Sequence, residues 1–253
     1  MMRLPNLLLL PLALLLQAPS YAQGGLRDTS LFMVPLTFSY AYQLPTGDMA
    51  DRFGWNNNLG FSAAVKFASN YQIGLEGSFI FGNQVIERSM LSQITTSNGV
   101  IVNQDGNPAG ILLFERGYTI MAVAGKLIPV AGPNPNSGIL LKIGGGYIRH
   151  KVLIQSQNDV VPALEGEYQK GYDRLCAGPV AMLYAGYQHL SNDRYLNFSI
   201  GFETNLGFTE SLRPYDFDRG KAATGRRFDG LNGIRVGWIL PIYHARDDRQ
   251  FYR

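Results

Sequence analysis

The chain has 253 residues, a formal net charge of +3 and 16% charged residues, a balance that gives no electrostatic reason to expect a nucleic-acid partner. Its one cysteine excludes an intramolecular disulfide and supports neither a metal site nor thiol chemistry. Aromatic residues and glycine are plentiful, with 14 Phe, 14 Tyr and 29 Gly.

Residues 1–22 are predicted to form a signal peptide. Arg3 supplies a positive start, Leu7–Leu16 forms a short apolar segment, and Ser20 and Ala22 are the small residues that precede a cleavage point before Gln23. A membrane anchor is the alternative, but the apolar run is shorter than the ~18 residues that a spanning helix needs. We therefore expect an exported protein without a transmembrane helix in the mature chain.

Eight later segments alternate between apolar and polar residues, with the two-residue period of β-strands. They are Phe32–Gln43, Leu59–Phe67, Tyr71–Phe81, Gly117–Pro129, Gly138–His150, Gly178–Leu190, Tyr195–Phe208 and Leu231–Tyr243. In the clearest, Tyr195–Phe208, the apolar set includes Phe198 and Phe202, and the other set contains Glu203 among Gly, Ser and Asn. Small residues suit a crowded interior and aromatic residues suit lipid, so we predict that the apolar face points outward.

The second and third segments are predicted to form a hairpin. Pairing Phe67 with Tyr71 keeps their faces aligned and leaves a three-residue turn, in which Asn70 takes a left-handed conformation. The same register places Ser62 opposite Glu76.

Two segments have less distinct faces. In Gly117–Pro129 we predict Lys126 to face inward and four residues to face outward: Thr119, Met121, Val123 and Leu127. In Gly178–Leu190 the predicted outward residues are Val180, Met182 and Tyr184.

The connections between the segments alternate in length. Long ones span residues 43–58, 82–116, 151–177 and 209–230, and short ones span residues 68–70, 130–137 and 191–194. Outer-membrane barrels have an even number of strands, short periplasmic turns and longer outer loops. We therefore predict an all-β fold, an eight-stranded antiparallel up-and-down transmembrane β-barrel over residues 23–253, in the bacterial outer membrane.

This arrangement resembles the small outer-membrane barrels of the OmpA and OmpX kind. In its details it is similar to the outer membrane β-barrel families of Bacteroidota, which include PorT-like proteins of the type IX secretion system. The resemblance covers the architecture and no residue motif, and about ten residues follow Tyr243, whereas proteobacterial barrels end on an aromatic residue.

Five charged residues fall on the predicted inner face: Lys66, Glu76, Lys142, Glu203 and Arg235. An isolated charge in a narrow lumen is costly, so these groups must be paired or hydrated. The interior of eight strands is just wide enough for side chains to fill. We therefore expect a lumen plugged by an ion-pair network, with a conducting pore as the alternative.

No catalytic residue is predicted. His189 and Ser191 have the His-x-Ser spacing of lipid A deacylases, but they fall beside a short periplasmic turn with no carboxylate placed to orient His189. A glycine-rich phosphate loop needs a following helix, and Gly144–Gly146 is followed by more strand pattern. With no zinc motif or nucleophile elbow in the sequence, we expect neither enzymatic activity nor a cofactor.

The last long connection is rich in cations: Arg213, Arg219, Lys221, Arg226 and Arg227. One hypothesis is that they contact lipopolysaccharide phosphates or an envelope protein, since Arg matches phosphate geometry. The alternative is a solvated loop that pairs with its own carboxylates. The sequence thus predicts a non-catalytic outer-membrane protein with a structural or interaction role, and the other functions considered are a secretion or envelope component, a lipid A modifying enzyme and a small pore.

Overall fold

The computed structural model describes residues 29–157, 160–193 and 195–243. The predicted signal peptide, residues 1–22, lies outside these ranges. Within them, no helix has both the length and the apolar character needed to span a bilayer.

The described chain is built almost entirely from strands. They are β1 (Met33–Gly47), β2 (Asn56–Lys66), β3 (Tyr71–Gly82), β4 (Ile101–Val102), β5 (Pro108–Ala109), β6 (Ile111–Ile128), β7 (Gly138–Ser156), β8 (Cys176–Leu190), β9 (Asn197–Ser211) and β10 (Arg226–Tyr243). Short 3₁₀ segments in the long connections span Arg88–Ile94, Pro162–Leu164 and Tyr168–Gly171.

Eight of these strands close into one antiparallel barrel. The order around the ring is β1-β10-β9-β8-β7-β6-β3-β2, and β1 also pairs with β2, so the ring has no free edge. The short β4 and β5 pair only with each other, inside the connection between β3 and β6. The predicted eight-stranded up-and-down barrel, with long connections at one end and short turns at the other, is confirmed.

The predicted turn between β2 and β3 is also confirmed. The Phe67 amide donates to the Tyr71 carbonyl at 2.8 Å, and Ser62 stands opposite Glu76. Asn70 has φ of 65°, the left-handed conformation that Asn tolerates better than most residues.

The two faces of the wall have the predicted orientation where the alternation is strong. On β9 and β10, Phe202 and Ile234 are 52% and 61% exposed, whereas Glu203 and Arg235 are 0% and 4% exposed. In a soluble sheet the apolar face would be covered. Here it forms the outer surface, so this wall is built to contact lipid.

The predicted faces of the other two strands are wrong. On β6 the four residues predicted outward all line the interior: Thr119, Met121, Val123 and Leu127. On β8 the same holds for Val180, Met182 and Tyr184. Both strands carry apolar or small residues on each face, so alternation gives no polar marker of the inside. A lumen this narrow must be filled by side chains, and the bulky residues therefore face inward.

Lys126 was predicted inward and instead lies on the outer face of β6. Its ammonium donates to the Ser69 carbonyl at 2.7 Å and lies 3.7 Å from the centre of the Tyr71 ring. The long side chain thus reaches the polar edge of the barrel from an outward position, as lysines at membrane interfaces do.

The outer face of β6 and β7 shows the height of the lipid-facing band. At ~3.3 Å per residue and a tilt of ~40°, the strand from Ile128 to Tyr118 rises ~25 Å along the barrel axis. This matches the ~25 Å apolar band of outer-membrane barrels, which aromatic rings flank. Tyr118 and Tyr147 lie on the outer surface at the upper end of this span.

Ile143 is an exposed residue of β7 midway between Ile139 and Tyr147, near the centre of the band. We expect Ile143→Arg to lower the free energy of unfolding by about 2–4 kcal/mol, because a charge at the bilayer midplane loses its hydration. Equilibrium unfolding in lipid vesicles measures this loss. Gln155→Arg is the matched control on the same face above the band and should cost ~1 kcal/mol or less. Equal costs would contradict the assigned orientation.

Candidate functional site

The lumen holds a compact group of four charged side chains from four strands. Arg235 lies between two carboxylates, in contact with Glu76 and with its Nη2 atom 2.7 Å from Oε2 of Glu203. The Lys142 ammonium is 3.0 Å from the other oxygen of Glu76. The charges of two cations and two carboxylates cancel, so the network has no net charge. This matters because an unpaired ion in this part of the barrel would be costly.

Neutral side chains complete the network around Glu203. The amides of Gln43 and Asn205 donate to its Oε1 atom at 3.0 Å and 2.9 Å. Each additional donor satisfies a lone pair that a lone ion pair would leave open. The network therefore joins β1, β3, β7, β9 and β10 across the lumen.

The Tyr184 ring fills the space beside these charges. It lies 5.0 Å from the Lys142 ammonium and covers two glycines, where a Cβ on Gly186 or Gly201 would come within 3 Å of it. The cavity that remains is about 30 Å³, room for roughly two or three waters at ~10–15 Å³ each. The Tyr184 ring and the charged side chains thus line this small cavity.

Lys66 was predicted to belong to this network, and the structure places it outside. Its ammonium donates to Ser30 Oγ and Asn136 Oδ1, both at 3.0 Å, and to the Leu31 carbonyl at 3.3 Å. The residue ends β2 at the short-turn side of the barrel. The alternation predicted correctly that Lys66 points inward, but it does not give the height of a residue along the barrel axis. At its height Lys66 is out of reach of Glu76.

The inner mouth of the barrel is closed by the turn between β6 and β7. The Asn134 amide donates to the Leu190 carbonyl at 2.6 Å, and Gln188 donates to the Asn136 carbonyl at 3.1 Å. Together with Lys66, these bonds fold the turn across the opening.

The outer mouth is covered by the described parts of the four long connections, which together form the outer cap: residues 48–55, 83–110, 157 with 160–175, and 212–225. Its buried apolar side chains pack with Ile148 and Val152 of the barrel. They come from different connections: Met49, Phe53, Met90, Leu91, Leu164 and Tyr172.

Salt bridges between arginines and carboxylates hold the connections of the outer cap together. Arg174, whose side chain is 1% exposed, lies 3.1 Å from Glu87, 3.2 Å from Asp216 and 2.6 Å from Asp218. Burial alone disfavours its charged form, but the hydrogen bond to Asp218 and the charges of Glu87 and Asp216 outweigh this and raise the pKa of Arg174 above its ordinary value. Arg52 adds a second bridge to Glu87 at 3.1 Å. All four connections are thus tied to one another.

Three of the five cations predicted to contact lipopolysaccharide or a partner bind residues of this cap. Arg213 binds both oxygens of Asp173, and this hydrogen bonding raises the pKa of Arg213. Arg219 lies 3.0 Å from Glu87. Arg227 donates to the Asp48 carbonyl at 2.6 Å. The main partners of these three cations lie in the other connections, so the loop is paired, but not with its own carboxylates as the alternative had it.

The other two cations of the set remain on the surface. Arg226 is 3.4 Å from Glu210, and its side chain is 93% exposed. Lys221 is exposed, and its carbonyl accepts a hydrogen bond from the Asp216 amide.

A buried pair near the outer mouth was missed in the sequence. The Nε2 atom of His150 lies 2.9 Å from Oδ2 of Asp229, Thr209 donates to the same oxygen, and the Phe53 ring packs edge-on against the imidazole at 5.8 Å. Asp229 was predicted to lie in a loop, whereas β10 begins at Arg226 and turns Asp229 into the lumen. The alternation of β10, extended back from Arg235 past Leu231, places Asp229 on the same inward face.

The residues considered for deacylase chemistry lie elsewhere. His189 is on the outer face of β8, where its ring stacks on Phe198 at 5.1 Å. The Ser191 hydroxyl accepts a hydrogen bond from the Asp193 amide at 3.2 Å. The aromatic contact gives His189 a packing role at the inner edge of the wall. Cys176 is buried at the start of β8, 3.1 Å from a nitrogen of Arg52.

A closed barrel satisfies its backbone internally while showing apolar side chains on its outside, which is the condition for strands to cross a bilayer. The protein is therefore an integral β-barrel of the bacterial outer membrane, with its long connections on the outer side.

No family model matches the sequence, and no curated protein matches it. Among solved structures, the chain is similar to Neisserial surface protein A (NspA), with 8% identity, a TM-score of 0.44, and coverage of 83% of this chain and 97% of that one. It is also similar to Ail, the attachment invasion locus protein of Yersinia pestis, with 10% identity, a TM-score of 0.42, and coverage of 83% and 99%. The outer membrane protein OprG from Pseudomonas aeruginosa has 10% identity and a TM-score of 0.34, with coverage of 88% and 100%.

Glu203→Ala should destabilise the barrel without opening it. The change leaves Arg235 only partly compensated in the lumen, at a cost of about 3–5 kcal/mol, while Tyr184 still fills the space. Thermal unfolding in detergent should show a lower midpoint, and planar bilayers should show no steady conductance. Glu210→Ala, on the exposed face of the same strand, is the control and should leave the midpoint unchanged. A large steady conductance from Glu203→Ala would show that the network, and not the packing, closes the lumen.

Arg174→Ala should loosen the outer cap while the barrel stays folded. The change takes from Asp218 the cation that pairs with it and removes one of the three cations that contact Glu87. Breaking a buried pair costs about 3–5 kcal/mol of local stability. Limited digestion with proteinase K should therefore cut the long connections faster than in the wild-type protein. Arg226→Ala removes an exposed arginine of the same end and should digest at the wild-type rate. If both variants digest alike, the ion cluster does not order the cap.

Proposed function

We propose that the protein is a non-catalytic outer-membrane barrel that acts as a structural or interaction protein through its outer cap. The observation that carries this proposal is closure at three levels: the turn across the inner mouth, the network around Arg235 in the lumen, and the outer cap. A protein closed in this way offers its surfaces, and not its interior, to other molecules.

The outer cap has features of an interaction surface. It is held in one shape by buried ion pairs, and it exposes apolar side chains to water: Ile86, Tyr168, Leu212 and Tyr215. Aromatic side chains on a rigid support are enriched at protein interfaces, because they bury large areas at little entropic cost. This favours a protein partner at the cell surface.

A more specific form of this proposal is that the protein is a PorT-like component of a secretion or envelope assembly. Such a component would be recovered with other envelope proteins, whereas a free-standing barrel would not. A lipid A modifying enzyme is disfavoured because His189 packs on an aromatic ring, and a small pore because Tyr184 and the ion pairs leave a cavity of only about 30 Å³ at their level.

The test compares cross-linked complexes recovered from native membranes. We expect a partner to be recovered with the wild-type chain and lost with the double variant Tyr168→Ser and Tyr215→Ser, which removes two rings of the outer cap. Tyr195→Ser is the matched control, because this tyrosine is 90% exposed at a short turn on the opposite end. Equal recovery from all three proteins would contradict a role for the cap. Lipid A of altered mass in expressing cells would contradict the absence of catalysis.

A further inference from the structure

Three cations lie together on the outer surface of the wall, where β6 and β7 leave the lipid-facing band. Arg116 stands directly opposite Lys151, and Arg149 is two residues before Lys151 on the same face. Like charges that face each other across a pair of strands destabilise the sheet. The arrangement therefore needs an anion close by.

The wall itself does not supply that anion. Strands β6 and β7 are described along their whole length, and their outward positions contain no Asp or Glu. Arg149 has no ion-pair partner among the described residues. Lys151 is 4.0 Å from Asp173, whose carboxylate is already held by Arg213.

Arg116 is anchored without being neutralised. Its Nη1 atom donates to the Glu115 carbonyl at 2.7 Å and to the Gly82 carbonyl at 3.5 Å, and its guanidinium lies 5.0 Å from the centre of the Phe114 ring. All three contacts are with uncharged groups, and the Glu115 carboxylate, which acts on Arg116 electrostatically, lies on the inner face and is held by Asn56. The other donors of the guanidinium stay available to a ligand, and a guanidinium matches the oxygens of a phosphate better than an ammonium does.

The position of the three cations fits a lipid headgroup. They follow immediately above Tyr118 and Tyr147, at the upper end of the ~25 Å band. A shallow hollow lies beside them, lined by Phe79 and Tyr118 as well as by the cations themselves. An acyl chain can lie against these rings while its headgroup reaches the cations.

We propose that this patch, Arg116, Arg149 and Lys151, binds the phosphate monoester of an outer-leaflet lipid. A monoester carries about −1.5 to −2 charges at neutral pH, and a diester carries only one, so the monoester compensates three neighbouring cations more fully. The inference rests on the proposed function only through the orientation of the barrel in the membrane, and it assigns the wall, not the outer cap, as the lipid site.

The test is native mass spectrometry of the purified full-length barrel in detergent, titrated with lipids of identical acyl chains. Phosphatidic acid carries a monoester, phosphatidylglycerol a diester and phosphatidylcholine no net charge. We expect affinity to fall in that order. Arg149→Gln should weaken phosphatidic acid binding about tenfold, the loss of roughly one charge-assisted contact.

Lys126→Gln is the matched control, because it removes a cation from the same outer face at the opposite end of β6. It should bind phosphatidic acid as the wild-type protein does. Heat-modifiable mobility on gels checks that each variant is folded. Diphosphoryl lipid A should then compete with phosphatidic acid in the wild-type protein and not in Arg149→Gln.

Equal binding of phosphatidic acid and phosphatidylcholine, or equal losses from Arg149→Gln and Lys126→Gln, would overturn the proposal. Neither result bears on the recovery of a protein partner by the outer cap, because Arg149 is not part of the outer cap. The double variant of Tyr168 and Tyr215 should lose the partner and keep lipid binding, whereas Arg149→Gln should lose lipid binding and keep the partner. The two proposals can therefore fail separately.

Discussion

The hydrocarbon core of a bilayer offers no hydrogen bonds, so every backbone amide and carbonyl that crosses it must be paired within the protein. The pairing of β1 with β10 meets this condition by removing both edges of the sheet. Ring closure with eight strands fixes a narrow interior. The inverted wall follows from these two facts, with large apolar residues such as Phe202 outside and small residues such as Gly201 inside, where a Cβ would come within 2.5 Å of Gly186.

A filled interior makes the position of each charge matter. Arg235 is acceptable in the lumen because Glu76 and Glu203 approach it from opposite walls, and Gln43 and Asn205 both donate to the Oε1 atom of Glu203. The outer cap follows the same rule in a wetter setting, where Arg174 gathers three carboxylates. Fixed ion pairs of this kind are weak as a net source of stability but costly to break, so they specify one arrangement.

The sequence predicted what local patterns determine and missed what distant contacts determine. The turn before Tyr71 and the faces of β9 and β10 follow from alternation, because their polar sets are unmistakable. Tyr184 and Met121 were placed on the wrong face, because in strands with two apolar faces only the volume of the lumen decides. The contact of Arg174 with Glu87 joins residues far apart in irregular segments, and no period in the chain points to it.

The seam between β1 and β10 joins Met33 to Tyr243, so the first and last strands of the barrel are neighbours. Pairings this distant along the chain are slow to form, since the entropy of closing the loop is lost before the contact stabilises it. Until β10 arrives, β1 and β9 each have an open strand edge that can add a foreign chain. Biogenesis must therefore shield the unclosed sheet, and a polypeptide truncated before Arg226 would remain a template for aggregation.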